Sequence, residues 1–438
     1  MIPVRIGLLG LGTVGCGTVN VLRRNRSEIA RRAGRAIEVV QASARHLGKP
    51  RSCSTEGIAL VTEPRAVVDN PEIDIVVELI GGIEPARELT VRAIENGKHV
   101  VTANKALIAL HGNELFTAAQ AKGVMVAFEA AVGGGIPIIK AIREGLAGNR
   151  IQWVAGIING TANFILSEMR AHGRVFAEVL AEAQQLGYAE ADPRYDVEGI
   201  DAGHKLAILA AIAFGKPLQF DKVYIEGITG ITPEDIDYAE QLGYRIKHLG
   251  FARRTARGVE MRVHPTLIPA RRLIANVGGV MNAVLVRGDA VGPTLYYGSG
   301  AGAEPTASSV VADLVDVVRT LTTDPENRVP HLAFQPDAIS DLPILPMEEV
   351  ETAYYLRMRA FDRPGVLADV ARILGDRGIS IEAVVQKEPV AGETLVPLIM
   401  LTHRVQEGRM DEALAGIEAL SGIRGKVTRI RVEHLTGD

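Results

Sequence analysis

Along the first third of the chain, short continuous apolar runs alternate with stretches whose apolar residues recur at helical spacing. VRIGLLG from Val4, IEVVQASA from Ile37, IDIVVELIG from Ile73, HVVT from His99 and VMVAFEAAV from Val124 read as strands buried on both faces. Helices are predicted from Gly15 to about Ala33, from Pro85 to Asn96 and from His111 to Lys122, with a turn at Asn70-Pro71. This β-α-β alternation predicts an α/β domain, a parallel sheet covered by helices on both sides.

From the glycine cluster Gly133-Gly134-Gly135 onward the rhythm changes. Helical spacing covers about Ile138 to Glu144, Thr161 to Ala171, Val175 to Leu186, Ala202 to Phe214 and Ala307 to Leu321. Strand patterns begin at Ile151, Lys222, Ile246, Glu260, Met281 and Pro293, which predicts a mixed α+β domain with room for a subunit interface. Asp324 to about Pro346 is rich in proline and turn residues and reads as a linker. The remainder predicts strand (from Ala353), helix (about Gly365 to Arg377), strand (ISIEAVVQK), a turn at Ala391-Gly392, strand (LVPLIMLTHR), helix (about Arg409 to Leu420) and strand (from Val427). That order is a ferredoxin-like split βαβ unit. The expected division is 1–136, 137–322 with its final helix returning to the first domain, a linker 323–350, and a small unit 351–434.

Composition narrows the function classes. A net charge of −4 gives no global cationic field, so nucleic acid is not an expected partner. Two cysteines, Cys16 and Cys53, cannot build a disulfide framework or a thiolate cluster, and they fit a reducing, cytoplasmic compartment. No apolar run is long enough to span a membrane. The apolar N-terminus lacks a charged leader and reads as a first strand rather than a signal segment.

That first strand runs into Gly10-Leu11-Gly12-Thr13-Val14-Gly15, a G-x-G-x-x-G that opens a helix. In this context the glycines serve a tight turn, close approach of pyrophosphate and close helix-to-strand contact, with helix-start N–H groups facing the anion. A Rossmann-type NAD(P) site is the expectation. The second strand ends in Ala44-Arg45-His46 with no acidic residue to hold a ribose, while Arg45 could meet a 2′-phosphate. NADP is therefore favoured, with NAD left open.

Two lysines are candidates for proton chemistry. Lys105 follows a strand end, where open α/β sheets place their ligands, although a lysine opening a helix is also ordinary. Lys205 lies in an otherwise small and apolar helix, four residues after Asp201. The pair could be structural, yet a buried ion pair adds little net stability, and an ammonium held by a carboxylate can serve as a general acid. The loop before it carries Glu190, Asp192, Asp196 and Glu198, suited to an amino group or a cation.

At these residues the chain resembles the homoserine dehydrogenase family over essentially its full length. The resemblance rests on GLGTVG at Gly10, ANKALIA from Ala103, FEAAVGGGIPII from Phe128, NGTANFIL from Asn159, GYAEADPRYDVEGIDAGHKLAILA from Gly187 and AGAEPTASSVVADL from Ala301. The C-terminal unit resembles an ACT domain, with Asp362-Arg363-Pro364-Gly365-Val366-Leu367 at its first strand-to-helix turn. The resemblance implies reversible interconversion of L-homoserine and L-aspartate 4-semialdehyde in threonine, methionine and isoleucine biosynthesis. It implies Lys205 as proton donor, Lys105 as its partner at substrate and cofactor, and Glu190, Asp196, Asp201 and Thr161 as substrate-binding residues. Gly10, Gly12, Thr13, Val14, Gly15, Arg45 and Gly302 would bind the cofactor. A monovalent cation, sodium, would be held by Glu129 and the carbonyls of Val132, Gly134 and Ile136. Threonine as effector and a homodimer or dimer of dimers are implied as well. Two other readings stand beside it: another NAD(P)-dependent amino-acid or semialdehyde oxidoreductase, and a non-catalytic amino-acid or dinucleotide sensor. A phosphorylating semialdehyde dehydrogenase would need a thiolate nucleophile, and neither cysteine is suitably placed in the sequence. A sensor would have no need of an acid beside a carbonyl.

Overall fold

A computed structural model describes residues 2–386 and 394–436, so the turn expected at Ala391-Gly392 lies outside the described residues. The chain gathers into two compact units, each assembled from three segments. The first comprises Met1–Gly160, Asp201–Val223 and Val280–Leu342, and the second Thr161–Ile200, Tyr224–Gly279 and Pro343–Asp438.

The first unit contains a six-stranded, wholly parallel sheet: β1 Val4–Leu9, β2 Ile37–Ser43, β3 Ala59–Val61, β4 Ile75–Glu78, β5 His99–Thr102 and β6 Val126–Ala127. Their order is β3-β2-β1-β4-β5-β6. The chain winds one way from β1 through β2 to β3 and the other way from β4 to β6, so a crevice opens between β1 and β4 at the carboxyl ends of the strands. Helix Thr13–Arg24 leaves β1 and packs against helix Ala303–Thr320, their side chains Val19, Leu22, Val310 and Leu314 sharing one core. The approach is close: a Cβ on Gly17 would stand 2.4 Å from the Ala303 carbonyl oxygen. Strands Ile151–Ile157, Met281–Gly288 and Gly292–Ser299 form an antiparallel set with Met281–Gly288 in the middle. Helix Ile200–Phe214 is buried from Asp201 to Phe214, as its nearly all-apolar sequence requires.

In the second unit the strand order is Tyr244–Arg254, Val259–Pro269, Ile423–Val432, Glu351–Phe361, Leu395–Thr402, Ile381–Gln386. The β-α-β-β-α-β order of the C-terminal segment is the expected one. Helices Val366–Asp376 and Glu407–Glu418 contribute Val370, Leu374, Met410 and Ile417 to the core on one side of its strands. Its last strand pairs in parallel with Val259–Pro269, Thr266 opposite Arg431. Ala353, Tyr355, Ile399, Leu401, Ile430 and Val432 share a core with Ala162, Ile165, Ile228 and Ile246. The C-terminal strands are therefore a structural half of this unit.

Several elements differ from the sequence pattern. The helix expected from Gly15 to Ala33 is two helices, Thr13–Arg24 and Arg26–Ala33, broken at Asn25, a weak helix former whose backbone leaves the helical region (ψ 20°). The helix expected from His111 begins at Lys105, because Asn104 caps it through a bond from Leu107 N to its side-chain oxygen. The strand expected over VMVAFEAAV keeps only Val126–Ala127 and continues as a 3₁₀ turn, Glu129–Ala131. The stretch Ile138 to Glu144 is a single α-turn followed by the π-turn Ala141–Gly145. KVYIEGI keeps the two-residue strand Tyr224–Ile225. Helix Pro233–Gln241 gave no apolar signal strong enough to predict it, yet Thr232 and Asp235 form a complete capping box. Among the described residues no helix is long and apolar enough to cross a membrane.

Candidate active site

The glycine turn lies where β1 meets the crevice. Gly10 has φ +99°, a conformation favouring glycine, and a Cβ there would crowd the Leu79 carbonyl oxygen at 3.0 Å. A Cβ on Gly15 would stand 2.4 Å from the Gly10 carbonyl oxygen, so this glycine lets the helix start lie on the turn. Gly12 has open space around its Cβ position, and as N-cap it offers no side-chain cap. The first intrahelical bond runs from Cys16 N to Gly12 O, leaving the N–H groups of Thr13, Val14 and Gly15 without an intrahelical acceptor. This cradle fits a pyrophosphate. Gly302 (φ +130°) caps the helix that packs against it, and Arg45 is exposed just past the end of β2. No acidic residue occurs between Ser43 and Glu56.

The other strand ends carry a connected polar set. Glu78, at the end of β4, is buried; its Oε1 accepts Ile80 N at 2.9 Å and its Oε2 accepts the Thr102 hydroxyl at 2.6 Å. Burial pushes its pKa up, against the pull of those hydrogen bonds. Thr102 Oγ1 in turn accepts Asn104 N, and the Asn104 amide donates to Gly82 O at 2.6 Å. This net fixes the first turn of helix Lys105–Lys122.

Lys105 reaches Asp201 Oδ1 at 2.8 Å, and Lys205 reaches Asp201 Oδ2 at 2.7 Å. Lys205 Nζ also donates to Ile158 O at 2.7 Å, and the Asn159 amide donates to Asp201 Oδ2 at 2.9 Å. One buried carboxylate thus holds two ammonium groups, and the cluster carries a net positive charge. Burial alone would raise the pKa of Asp201, but the charges of Lys205 and Lys105 outweigh it and hold it well below the usual range. Lys205 is nearly buried while the Lys105 side chain is about 35% exposed, so the latter faces solvent and the former is shielded. His204 stacks on Phe220 at 4.0 Å, and burial lowers its pKa to about 4, so it is neutral at neutral pH.

Thr161, Glu190 and Asp196 belong to the second unit. The Thr161 hydroxyl donates to Tyr188 O at 2.7 Å, Glu190 is exposed with its carbonyl accepting the Gln184 amide, and Asp196 lies in the short helix Arg194–Val197.

On the glycine-rich bend, Glu129 is buried and its two carboxylate oxygens accept Ile139 N (2.9 Å) and Lys140 N (2.8 Å). Burial and the neighbouring Asp313 raise its pKa to about 7, and burial raises that of Asp313 to about 6. Gly134 O accepts the Ser309 hydroxyl and Ile136 O accepts Ile138 N, which leaves each carbonyl a second lone pair. Asp313 accepts Glu129 N and lies 3.6 Å from the Lys140 ammonium, and the oxygen donors of the bend are of the hard kind that suits a small cation in chemistry. Among the described residues no group of three His, Cys, Asp or Glu side chains could hold a metal.

Sequence reasoning missed Glu78, Thr102, Asn104 and Asn159 as parts of the site. The available signal was a lone polar residue closing each buried apolar run.

Residues 137–315 match the family profile of homoserine dehydrogenase, residues 10–129 that of the homoserine dehydrogenase NAD binding domain, and residues 354–422 that of the ACT domain. A homoserine dehydrogenase of Pseudomonas aeruginosa is 69% identical over 435 residues, covering 99% of this chain and 100% of that one. The chain belongs to the homoserine dehydrogenase family. It is an oxidoreductase with a nicotinamide-binding domain. The crystal structure of a homoserine dehydrogenase from Thiobacillus denitrificans superposes with a TM-score of 0.94 at 68% identity, over 100% of this chain and 99% of that one. A hyperthermophilic archaeal homoserine dehydrogenase in complex with NADPH matches with a TM-score of 0.60 at 25% identity, over 72% of this chain and 98% of that one.

Proposed function

We propose that the enzyme reversibly reduces the aldehyde of L-aspartate 4-semialdehyde to L-homoserine, on the route to threonine, methionine and isoleucine. The observation that carries the mechanism is the Asp201 carboxylate bonded to both Lys105 and Lys205. The bound nicotinamide would supply the hydride to the carbonyl carbon, or accept it in reverse. In reduction, Lys205 gives a proton from its ammonium to the carbonyl oxygen as negative charge grows there, and in oxidation its neutral amine takes the hydroxyl proton. Lys105 adds a second positive charge that polarises the carbonyl. Asp201 fixes the position of both and favours their charged forms. Glu190 and Asp196 offer carboxylates for the substrate ammonium, and Thr161 a hydroxyl.

The cofactor phosphates would lie on the N–H groups of Thr13, Val14 and Gly15, with Gly10 and Gly12 shaping the turn and Gly302 on the nicotinamide side. Arg45, without a competing acid, favours NADP over NAD, and the NADPH-bound relative is in keeping with that. Sodium is the proposed ion at Glu129, Val132, Gly134 and Ile136. Threonine is the proposed effector of the ACT segment, where Gly365 (φ +98°) opens helix Val366–Asp376 with no side-chain cap. Exposed Val291 and Tyr297 support assembly as a homodimer or dimer of dimers. The two unlinked thiols suit the cytoplasm. The test is nicotinamide absorbance with L-homoserine and each cofactor: homoserine-dependent reduction supports the reading, and its absence with both cofactors refutes it.

A further inference from the structure

The last strand of the chain delivers a fully buried arginine into an ionic cluster. Arg431 donates from Nε to Glu407 Oε2 at 3.0 Å and makes a second bond from Nη2 to Glu407 Oε1. Its Nη1 donates to Glu226 Oε2 at 2.7 Å, and Nη2 also donates to Tyr224 OH at 3.0 Å. The Tyr354 hydroxyl donates to Glu407 Oε2 at 2.8 Å. Planar multidentate bonding of this kind is what a buried guanidinium needs to offset its lost hydration.

Tyr224 and Glu226 do not belong to the C-terminal segment. Tyr224 opens a strand of only two residues, which pairs with Val259–Pro269 through Arg262 and Val263 alone, so its ladder is a weak anchor. The residues just beyond it hold the segment that carries Asp196. Ile228 N donates to Val197 O at 2.9 Å, and a Cβ on Gly227 would stand 2.5 Å from that same oxygen. His248 Nε2 lies 3.0 Å from Glu226 O, and a Cβ on Gly199 would meet the His248 ring at 3.0 Å. Residues 224–228 are therefore gripped by Arg431 on one side and pack tightly on residues 197–199 on the other.

We propose that Arg431, acting through Glu226 and Tyr224, is a positioning residue for the Asp196 segment, so that the C-terminal strand sets the substrate-binding geometry. This rests on the reading that Asp196 contacts the substrate. Glu226 is partly exposed, so removing its charge is the mild perturbation.

The test uses the full-length enzyme with Glu226→Gln, Tyr224→Phe and Asp196→Asn, measuring KM for homoserine, KM for the cofactor, kcat and Tm. Glu226→Gln is expected to raise KM for homoserine about fivefold with cofactor KM unchanged. Tyr224→Phe moves it less in the same direction. If Asp196→Asn raises KM for homoserine while folded Glu226→Gln leaves it at the wild-type value, the link is only structural and the proposal fails. If Asp196→Asn itself changes nothing, the reading of Asp196 fails and the proposal with it. Should Glu226→Gln not fold, Tyr224→Phe decides, and an unchanged KM for homoserine there overturns the proposal.

Discussion

Replacing Asp201 with asparagine removes one charge from the centre of the lysine pair and little else. At 2.8 and 2.7 Å each ion pair is worth about 6 kcal/mol at an effective dielectric of about 20. Desolvation offsets much of this, and solvent screens the Lys105 half, whose side chain is about 35% exposed. Removing one partner of a buried pair costs about 3–5 kcal/mol, because the remaining charge stays buried without compensation. The variant should therefore lose stability of that order at neutral pH, read by denaturant unfolding. The sign with pH is fixed by the direction of the shift. The carboxyl of Asp201 is held below its unfolded value of about 3.9, so its contribution is present above that pH and lost as pH falls through the folded value. The gap between wild type and variant should narrow in acid and stay full near neutrality. In turnover, kcat should fall about 10²-fold or more, since neither lysine keeps its anchor. A variant with kcat within about threefold of wild type and unchanged stability at neutral pH would refute the reasoning.

Glu190→Ala should raise KM for homoserine and leave cofactor affinity unchanged, checked by steady-state kinetics; an unchanged kcat/KM for homoserine removes it from the substrate site. Arg45→Ala should raise KM for NADP and spare NAD, and equal effects on both would show that it does not read the 2′-phosphate. A chain ending near Pro346 loses Tyr355, Ile399, Leu401, Ile430 and Val432 from a shared core. At about 1.5–3 kcal/mol per buried side chain, that is about 10 kcal/mol, comparable to a whole domain's stability. The truncated protein should be insoluble or unfolded by circular dichroism; a soluble, active product would show that the C-terminal segment is separable.

That last expectation reverses what the sequence suggests. A turn-rich stretch before a complete β-α-β-β-α-β order reads as a free-standing unit. Sequence spacing cannot reveal that Arg431 pairs opposite Thr266, which makes the last strand the neighbour of Val259–Pro269. The parallel sheet was legible because continuous apolar runs bounded by turns have few other solutions, and the glycine turn because its three glycines meet three separate steric demands. Lys205 and Asp201 were legible as a pair from their four-residue spacing. Lys105 was legible as a candidate from its place after a strand end, but its bond to Asp201 was not, since the contact joins two helices about a hundred residues apart in sequence, Lys105–Lys122 and Ile200–Phe214. The Asn104 cap depends on a local side-chain bond and the break at Asn25 on a backbone that leaves the helical region, and apolar periodicity records neither.

The claim that Lys205 is the acid is tested most directly by kcat in both directions for Lys205→Ala at saturating cofactor, with cofactor affinity measured separately by nicotinamide fluorescence. With Lys205 as the acid, kcat falls about 10²–10⁴-fold in reduction and oxidation alike while cofactor affinity stays within about twofold of wild type. A folded Lys205→Ala enzyme with near-wild-type kcat would contradict it.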